Sequence, residues 1–196
     1  LIPNNNIHIA VSGGNGTISL SGVSGQSGIS TITLVVTDSV GDTDTTTFDV
    51  SINDTVKPNA IAKDITVELD NNGVATITAQ MIDNGSSDNC AIKAISIDKT
   101  SFSCADLGTK TIILTVEDKK GNTNTASATV TISSTAPDTD NDGTKNNCDT
   151  DDDNDGLSDT DETTKGTDPL KPDTDGDGLT DATEIAKGTD PIKPDT

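Results

Sequence analysis

The last third of this chain writes one acidic loop three times, and a loop of that kind dictates how its backbone must curl. Residues 138–149 read DTDNDGTKNNCD, 151–162 read DDDNDGLSDTDE and 173–184 read DTDGDGLTDATE. Each places Asp at positions one, three and five, Gly at six and an acidic residue at twelve. Alternate carboxylates on a tightly curled loop converge on one point, and Gly permits the sharp turn. Converging carboxylates repel unless a cation lies among them, and Ca2+, a hard cation, takes roughly six to eight oxygen ligands.

The expected carboxylate ligands are Asp138, Asp140, Asp142 and Asp149 in the first loop and Asp151, Asp153, Asp155 and Glu162 in the second. Asp173, Asp175, Asp177 and Glu184 are their counterparts in the third. Thr144, Leu157 and Leu179 stand at position seven, which supplies a backbone carbonyl, and Asn146, Asp159 and Asp181 at position nine, which acts through water. About three Ca2+ sites are expected on this pattern.

A solvated acidic stretch is the plain alternative for any charge run. Such sequence has no reason to keep a register, and this one does. The second and third loops start 22 residues apart, and the text after each repeats as KGTDPLKPDT at 165–174 and KGTDPIKPDT at 187–196. A further step of 22 lands on Asp195, so the register predicts that the repeats continue.

Spacing also excludes paired EF-hands, whose loops need a helix of about ten residues on each side. The first two loops start 13 residues apart, and after Glu184 only Ile185-Ala186-Lys187 precedes Gly188, with Pro191 and Pro194 beyond. At most one helical turn is expected there. The same count argues against a dockerin. DTDNDGTKNNCDTDDDNDGLSD followed by GTDPLKPDTDGDGLTDATE resembles the thrombospondin type 3 repeat as it occurs in bacterial surface proteins, over about 138–196. That resemblance implies calcium binding.

The chain of 196 residues carries a formal charge of −21 and no Arg, which excludes nucleic acid as a partner. No apolar run approaches the ~20 residues that span a bilayer, no secretory leader is read, and the opening LIPNNNIHIAV is expected to be the interior of a longer chain. Leu157, Leu170, Leu179, Ile185 and Ile192 are the only sizeable apolar side chains after Asp138. They cannot offset an ordering cost of about 1–2 kcal/mol per residue, so calcium is expected to supply the folding energy of this segment.

Before Asp138 the sequence is rich in Thr, Val, Ile, Ser and Gly, alternates apolar with polar residues, and turns at short intervals, the pattern of a β-sandwich. Strands are expected near 65–69, 74–78, 91–97, 111–117 and 123–132, with Asp70-Asn71-Asn72-Gly73 closing the first pair and Asp118–Asn122 the last. Thr31–Ile52 aligns without gaps on Thr111–Ile132, with ten of 22 positions identical, an offset of 80 residues. That offset makes Leu1 the counterpart of Met81, so the first module is expected to lack its opening strands.

KDITVELDNNGVATITAQMIDNGSSDNC, continuing through TKTIILTVEDKKGNTNTASATVTI, resembles the immunoglobulin-like HYR-type repeats of large secreted Bacteroidetes proteins, over about 55–133. Such repeats occur in gliding-motility and adhesin-type surface proteins exported by the type IX system. The resemblance implies an all-β fold of tandem immunoglobulin-like sandwich modules and a place at the cell surface or outside the cell. It also implies a Cys90–Cys104 disulfide, the other reading being two buried thiols, with Cys148 either free or paired outside this chain. The domain reading is a partial immunoglobulin-like module at 1–54, an HYR-like module at 55–134 and calcium-binding repeats at 135–196.

Other signals are weaker. His8 has no catalytic partners, and no nucleophile motif occurs, so no enzyme is read. Ile52-Asn53-Asp54 resembles the calcium-binding linkers of cadherins, yet with one acidic residue it reads as a polar linker. Asp168 and Asp190 either ligate metal across repeats or cap a turn. Ser39, Thr45 and Thr55 lie in tripeptides resembling the Bacteroidetes O-glycosylation motif. The expected role is a surface adhesin or stalk whose partners are calcium and neighbouring repeats of the same chain. The alternative is a glycan- or protein-binding accessory module, recognising its ligand through 83–89, in a secreted enzyme.

Overall fold

The computed structural model describes residues 2–3, 6–12, 15–24 and 26–194. Leu1, used above to align the modules, and the Asp195–Thr196 end of the repeat register lie outside the described residues. Strands dominate and the helices are short. The chain packs as two compact units, Leu1–Lys63 with Thr78–Asp98 and Ile113–Ala128, and Asp64–Ile77 with Lys99–Ile112 and Thr129–Thr196.

The first unit opens with two antiparallel hairpins, β1 (Ile7–Ser12) on β2 (Asn15–Leu20) and β3 (Gly28–Thr37) on β4 (Thr43–Ile52). It also holds the short helix α1 (Ala79–Ile82), β7 (Ile92–Ile97) and the adjoining halves of β9 (Gly108–Asp118) and β10 (Thr123–Ser133). Strand β7 pairs antiparallel with β9, with a bulge between Ile92 and Ala94. Ile82, Leu114, Val116 and Ala128, with Pro58, are buried apolar side chains of this unit. Along β9, Leu114, Val116 and Asp118 are buried and the residues between them are not, the period-two signature of a strand with one covered face.

The second unit holds β5 (Ile65–Glu68), β6 (Val74–Thr76), β8 (Ser101–Ser103) and the acidic repeats. Strand β5 runs parallel to the end of β10, with Val130 opposite Ile65, while β6 pairs antiparallel with β8. Leu69, Ala75, Ile77, Phe102, Ile112, Val130 and Ile132 form its core. The strand order β5-β10-β9-β7 completes the larger sheet.

All five strands read between 65 and 132 form, with ends shifted by a few residues. The 80-residue repeat is visible as β3–β4 and β9–β10, which turn alike. Asp38 Oδ1 accepts the N–H groups of Val40 and Asp42, both at 2.9 Å, and Asp118 Oδ1 those of Lys120 and Asn122 at 2.7 and 2.9 Å. Burial differs, since Ile29, Val35 and Val36 of β3 are 66, 55 and 60% exposed.

Two expectations are corrected. Asp70–Gly73 is a tight turn, with Gly73 N–H donating to the Asp70 carbonyl, but it does not close a strand pair: β5 joins β10 and β6 joins β8. Cys104 bonds to Cys148, not to Cys90, with their Cα atoms 5.5 Å apart. The reason lies in the acidic repeats, which pack on this turn. Asn147 donates to the Asp70 carbonyl at 2.8 Å and accepts from Ser134 at 2.7 Å, setting the 3-10 turn Asn146–Cys148 beside Cys104.

Gly73, at φ 69°, is where this packing is tightest: a Cβ there would lie 2.5 Å from the Asn147 carbonyl oxygen and 2.6 Å from Cys104 Sγ. Gly73→Ala is expected to destabilise the fold by more than about 1 kcal/mol, through both the left-handed backbone and the clash. Chemical denaturation checks this; an unchanged midpoint would contradict the packing described.

Candidate metal centre

The three loops share one hydrogen-bond plan, and it begins at position nine. Asn146 Oδ1 accepts Thr139 N–H at 3.0 Å, Asp159 Oδ1 accepts Asp152 N–H at 2.9 Å and Asp181 Oδ1 accepts Thr174 N–H at 3.0 Å. Position nine thus closes the ring onto position two, a structural role that the metal-ligand pattern alone does not announce. Within the ring, Asp155 donates its N–H to Asp153 at 3.1 Å and Leu157 to Asp155 at 2.8 Å. Asp177 and Leu179 repeat this at 3.1 and 3.0 Å, and Asp142 and Thr144 at 3.0 and 2.6 Å. Each bond curls the chain by holding a carboxylate against the N–H two residues on.

Gly at position six completes the curl in the second and third loops. Gly156 and Gly178 donate to Asp151 Oδ2 at 3.1 Å and Asp173 Oδ2 at 2.8 Å, with φ of 103° and 101°. The result in every loop is that carboxylate oxygens from positions one, three and five lie within 4.8 Å of one another.

Position twelve is reached by a helix that starts inside the loop. α2 (Asp159–Lys165) and α3 (Asp181–Lys187) are capped by Ser158 and Thr180, whose side chains accept from Asp161 and Thr183 N–H, and end at left-handed Gly166 and Gly188. The stop falls where the glycines predict. The start falls earlier than the single turn expected, because position eight is itself an N-cap. Glu162 and Glu184 are 0% exposed on these helices.

Asp149 of the first loop is shorter, and its Oδ1 takes the N–H groups of Thr150 and Asp151 at 2.7 and 3.1 Å. That loop also carries an ion pair of its own, Lys145 Nζ to Asp138 Oδ2 at 3.9 Å.

The donor set fits a hard divalent cation. Asp138 Oδ1, Asp140 Oδ2, Asp151 Oδ1, Asp153 Oδ2, Glu162 Oε2 and Asp175 Oδ2 are buried oxygens that accept no hydrogen bond. Buried anionic oxygens without donors are costly, and a cation set among them relieves that cost. Burial, then the charges of Asp153, Asp155, Asp181 and Asp159, push Glu162 up to about 7. Burial first, with smaller contributions from the Asp155, Asp151 and Asp181 charges, pushes Asp153 up to about 6, against an opposing hydrogen bond from Asp155 N–H that ranks second to burial.

Asp152 was not among the sequence-read ligands, yet its Oδ1 is buried without a donor. Burial and the charges of Asp159 and Asp149 push it up to about 6. Its clue in the sequence was the unbroken run Asp151-Asp152-Asp153. Successive repeats also touch directly, through Ala182 N–H donating to Asp155 Oδ2 at 2.9 Å.

Asp168 and Asp190 take the turn-capping option. Asp168 accepts Leu170 N–H at 3.3 Å and pairs with Lys171 at 3.5 Å; Asp190 accepts Ile192 N–H at 3.4 Å and pairs with Lys193. Ser39, Thr45 and Thr55 are all exposed.

The raised carboxylates set the sign of a pH effect. A carboxylate whose folded pKa lies above its unfolded value favours the fold when protonated and opposes it once ionised. The metal-free repeats are therefore expected to lose stability as pH rises from about 4.5 through about 7. Calcium competes with those protons, so its affinity is expected to fall as pH drops from about 7 to about 5, with protons released on binding at pH 6. Titration calorimetry in buffers of different ionisation enthalpy measures the release, and a zero proton count at pH 6 would contradict the buried geometry.

Residues 151–172 and 173–194 each match the bacterial thrombospondin type 3 repeat, a calcium-binding repeat, and the Asp clusters of the second and third loops lie within those matches. No curated protein matches the chain. Among solved structures, an endo-fucoidan hydrolase from glycoside hydrolase family 107 is similar at TM-score 0.27 and 12% identity, over 67% of this chain and 26% of that one. This chain spans about a quarter of that hydrolase, and a likeness so low supports nothing about fold or activity.

Proposed function

We propose that the chain is a non-enzymatic segment of a secreted or cell-surface protein, in which immunoglobulin-like modules are followed by repeats that calcium stiffens. One observation carries this reading: two 22-residue repeats close by the same bonds and bury oxygens that no donor satisfies. Bound Ca2+ supplies the missing positive charge and accepts those oxygens. The chain's residues do the rest. Positions one, three and five face the ion, position nine holds the ring shut, and the helix carries position twelve into place.

The mechanical consequence follows from how the repeats are joined. α2 ends at Gly166, Pro169 and Pro172 follow, and the next loop opens at Asp173. No apolar core spans that distance, so the repeats keep their form through filled loops and not through burial. Low-affinity loops suit the outside of a cell, where extracellular modules bind at about 10⁻⁴–10⁻³ M calcium. The adhesin or stalk role rests on the resemblance of residues 55–133 to HYR-type repeats. No helix among the described residues is long and apolar enough to cross a membrane.

Hydrogen exchange with calcium and with a chelator tests this. Amides of 150–190 are expected to be protected with calcium and to exchange at near-unfolded rates without it, while β9 and β10 keep their protection in both. Equal protection of 150–190 in both conditions would remove calcium stiffening from the account.

A further inference from the structure

We propose that this chain holds a further divalent-cation site outside the acidic repeats, formed by Asp54, Asp88 and Asp118, with calcium as its ligand. The three residues come from distant parts of the sequence. Asp54 lies just after β4, Asp88 in the loop before β7, and Asp118 at the end of β9. Their carboxylates each bring an oxygen to within 4.8 Å of the others.

What distinguishes this cluster from a surface group of acids is its burial and its unmet oxygens. Asp54 is 8% exposed and Asp118 0%. Asp54 Oδ2 and Asp88 Oδ1 are buried and accept no hydrogen bond. No ion pair among the described residues reaches any of the three. Asp88 is half-buried, and three like charges at this separation without a counter-ion repel; a divalent cation at their centre removes the repulsion and takes up the orphaned oxygens.

The remaining oxygens are held in place by the protein. Asp54 Oδ1 accepts Val56 N–H at 3.1 Å and Asn89 Nδ2 at 3.3 Å. The Cys90 thiol, then Val56 N–H, hold the Asp54 carboxyl below the usual carboxylate range. Asp88 Oδ2 accepts Cys90 and Ala91 N–H at 2.7 and 3.1 Å. Asp118 takes Lys120 and Asn122 N–H on Oδ1, and Asn122 Nδ2 on Oδ2 at 2.7 Å. Asn122 Nδ2 also lies 3.2 Å from the Asp54 carbonyl oxygen, tying the two segments together. One oxygen of each of two carboxylates is thus anchored by donors while its partner is left over, the arrangement of a preformed site.

An all-carboxylate set is hard-ligand chemistry and suits calcium. Water to complete the coordination shell has a route: a cavity of about 290 Å³ is lined by Gly22, Ser24, Asn53, Asp54, Thr55 and Asn89. The ion would clamp the segment after β4 onto the loops that flank β7 and β9. The 80-residue repeat explains why the set is assembled once. Asp118 has Asp38 as its counterpart, but Asp54 and Asp88 correspond to Ser134 and His8.

The test uses the full chain and calcium itself. Native mass spectrometry counts ions per chain, and hydrogen exchange over a calcium titration reads 53–56, 88–91 and 118–122. The expectation is calcium-dependent protection of these segments, with one ion lost in Asp54→Asn and in Asp88→Asn. In either variant the calcium concentration for half protection should rise ~tenfold or more, while protection of 150–190 stays as in the parent chain. Asp175→Asn should do the converse, so failure here is separable from failure of the repeat sites. Protection of 53–56 and 88–91 that ignores calcium in the parent chain, or an ion count unchanged in both variants, overturns the proposal. The parent-chain titration decides even if a variant fails to fold.

Discussion

The acidic repeats of this molecule depend on the repulsion of carboxylates that the backbone forces together. Each acidic loop spends its own N–H groups on holding one oxygen of a carboxylate, and in doing so turns the other inward. The local hydrogen bonds shape the ring, but they cannot neutralise it. A ring so built is stable with a cation and strained without one, which makes metal binding and folding of this segment the same event. Short helices, left-handed glycines and paired threonines then serve to bring one more buried carboxylate to the ring. Thr167 and Thr189 hydroxyls donate to Glu162 and Glu184 at 3.5 and 3.4 Å, in matching positions of the two repeats.

Much of this was legible in the sequence because the loop motif is local. Asp at alternate positions with Gly at six fixes the curl whatever the rest of the chain does, and the periodic β-branched residues of β9 and β10 announce their buried face equally well. Asp118 and Gly121 likewise announced a turn that forms as expected. The helix starts were legible too, since Ser158 and Thr180 are ordinary N-caps, but the loop motif overlies them and masks the signal.

Contacts between distant segments were not legible. Whether Cys104 meets Cys90 or Cys148 depends on how the acidic repeats dock on the Asp70–Gly73 turn, and no local pattern encodes that. The strand partners of β5 and β6 failed for the same reason: a tight turn implies a hairpin, but their pairing is decided by β10 and β8. The Asp54, Asp88 and Asp118 cluster is the clearest case. Each residue alone reads as a turn or linker aspartate, and only the fold makes them a group.

The central claim is that cations fill the acidic loops in the arrangement described. The most direct measurement is an X-ray structure of the chain grown in millimolar calcium, with anomalous data to identify the ions. The account predicts a calcium peak in the second and third loops, about 2.3–2.6 Å from the carboxylates of Asp151, Asp153, Asp155 and Glu162 and from those of Asp173, Asp175, Asp177 and Glu184. Ordered loops with no calcium peak, their carboxylates bonded to water or lysine, would contradict it.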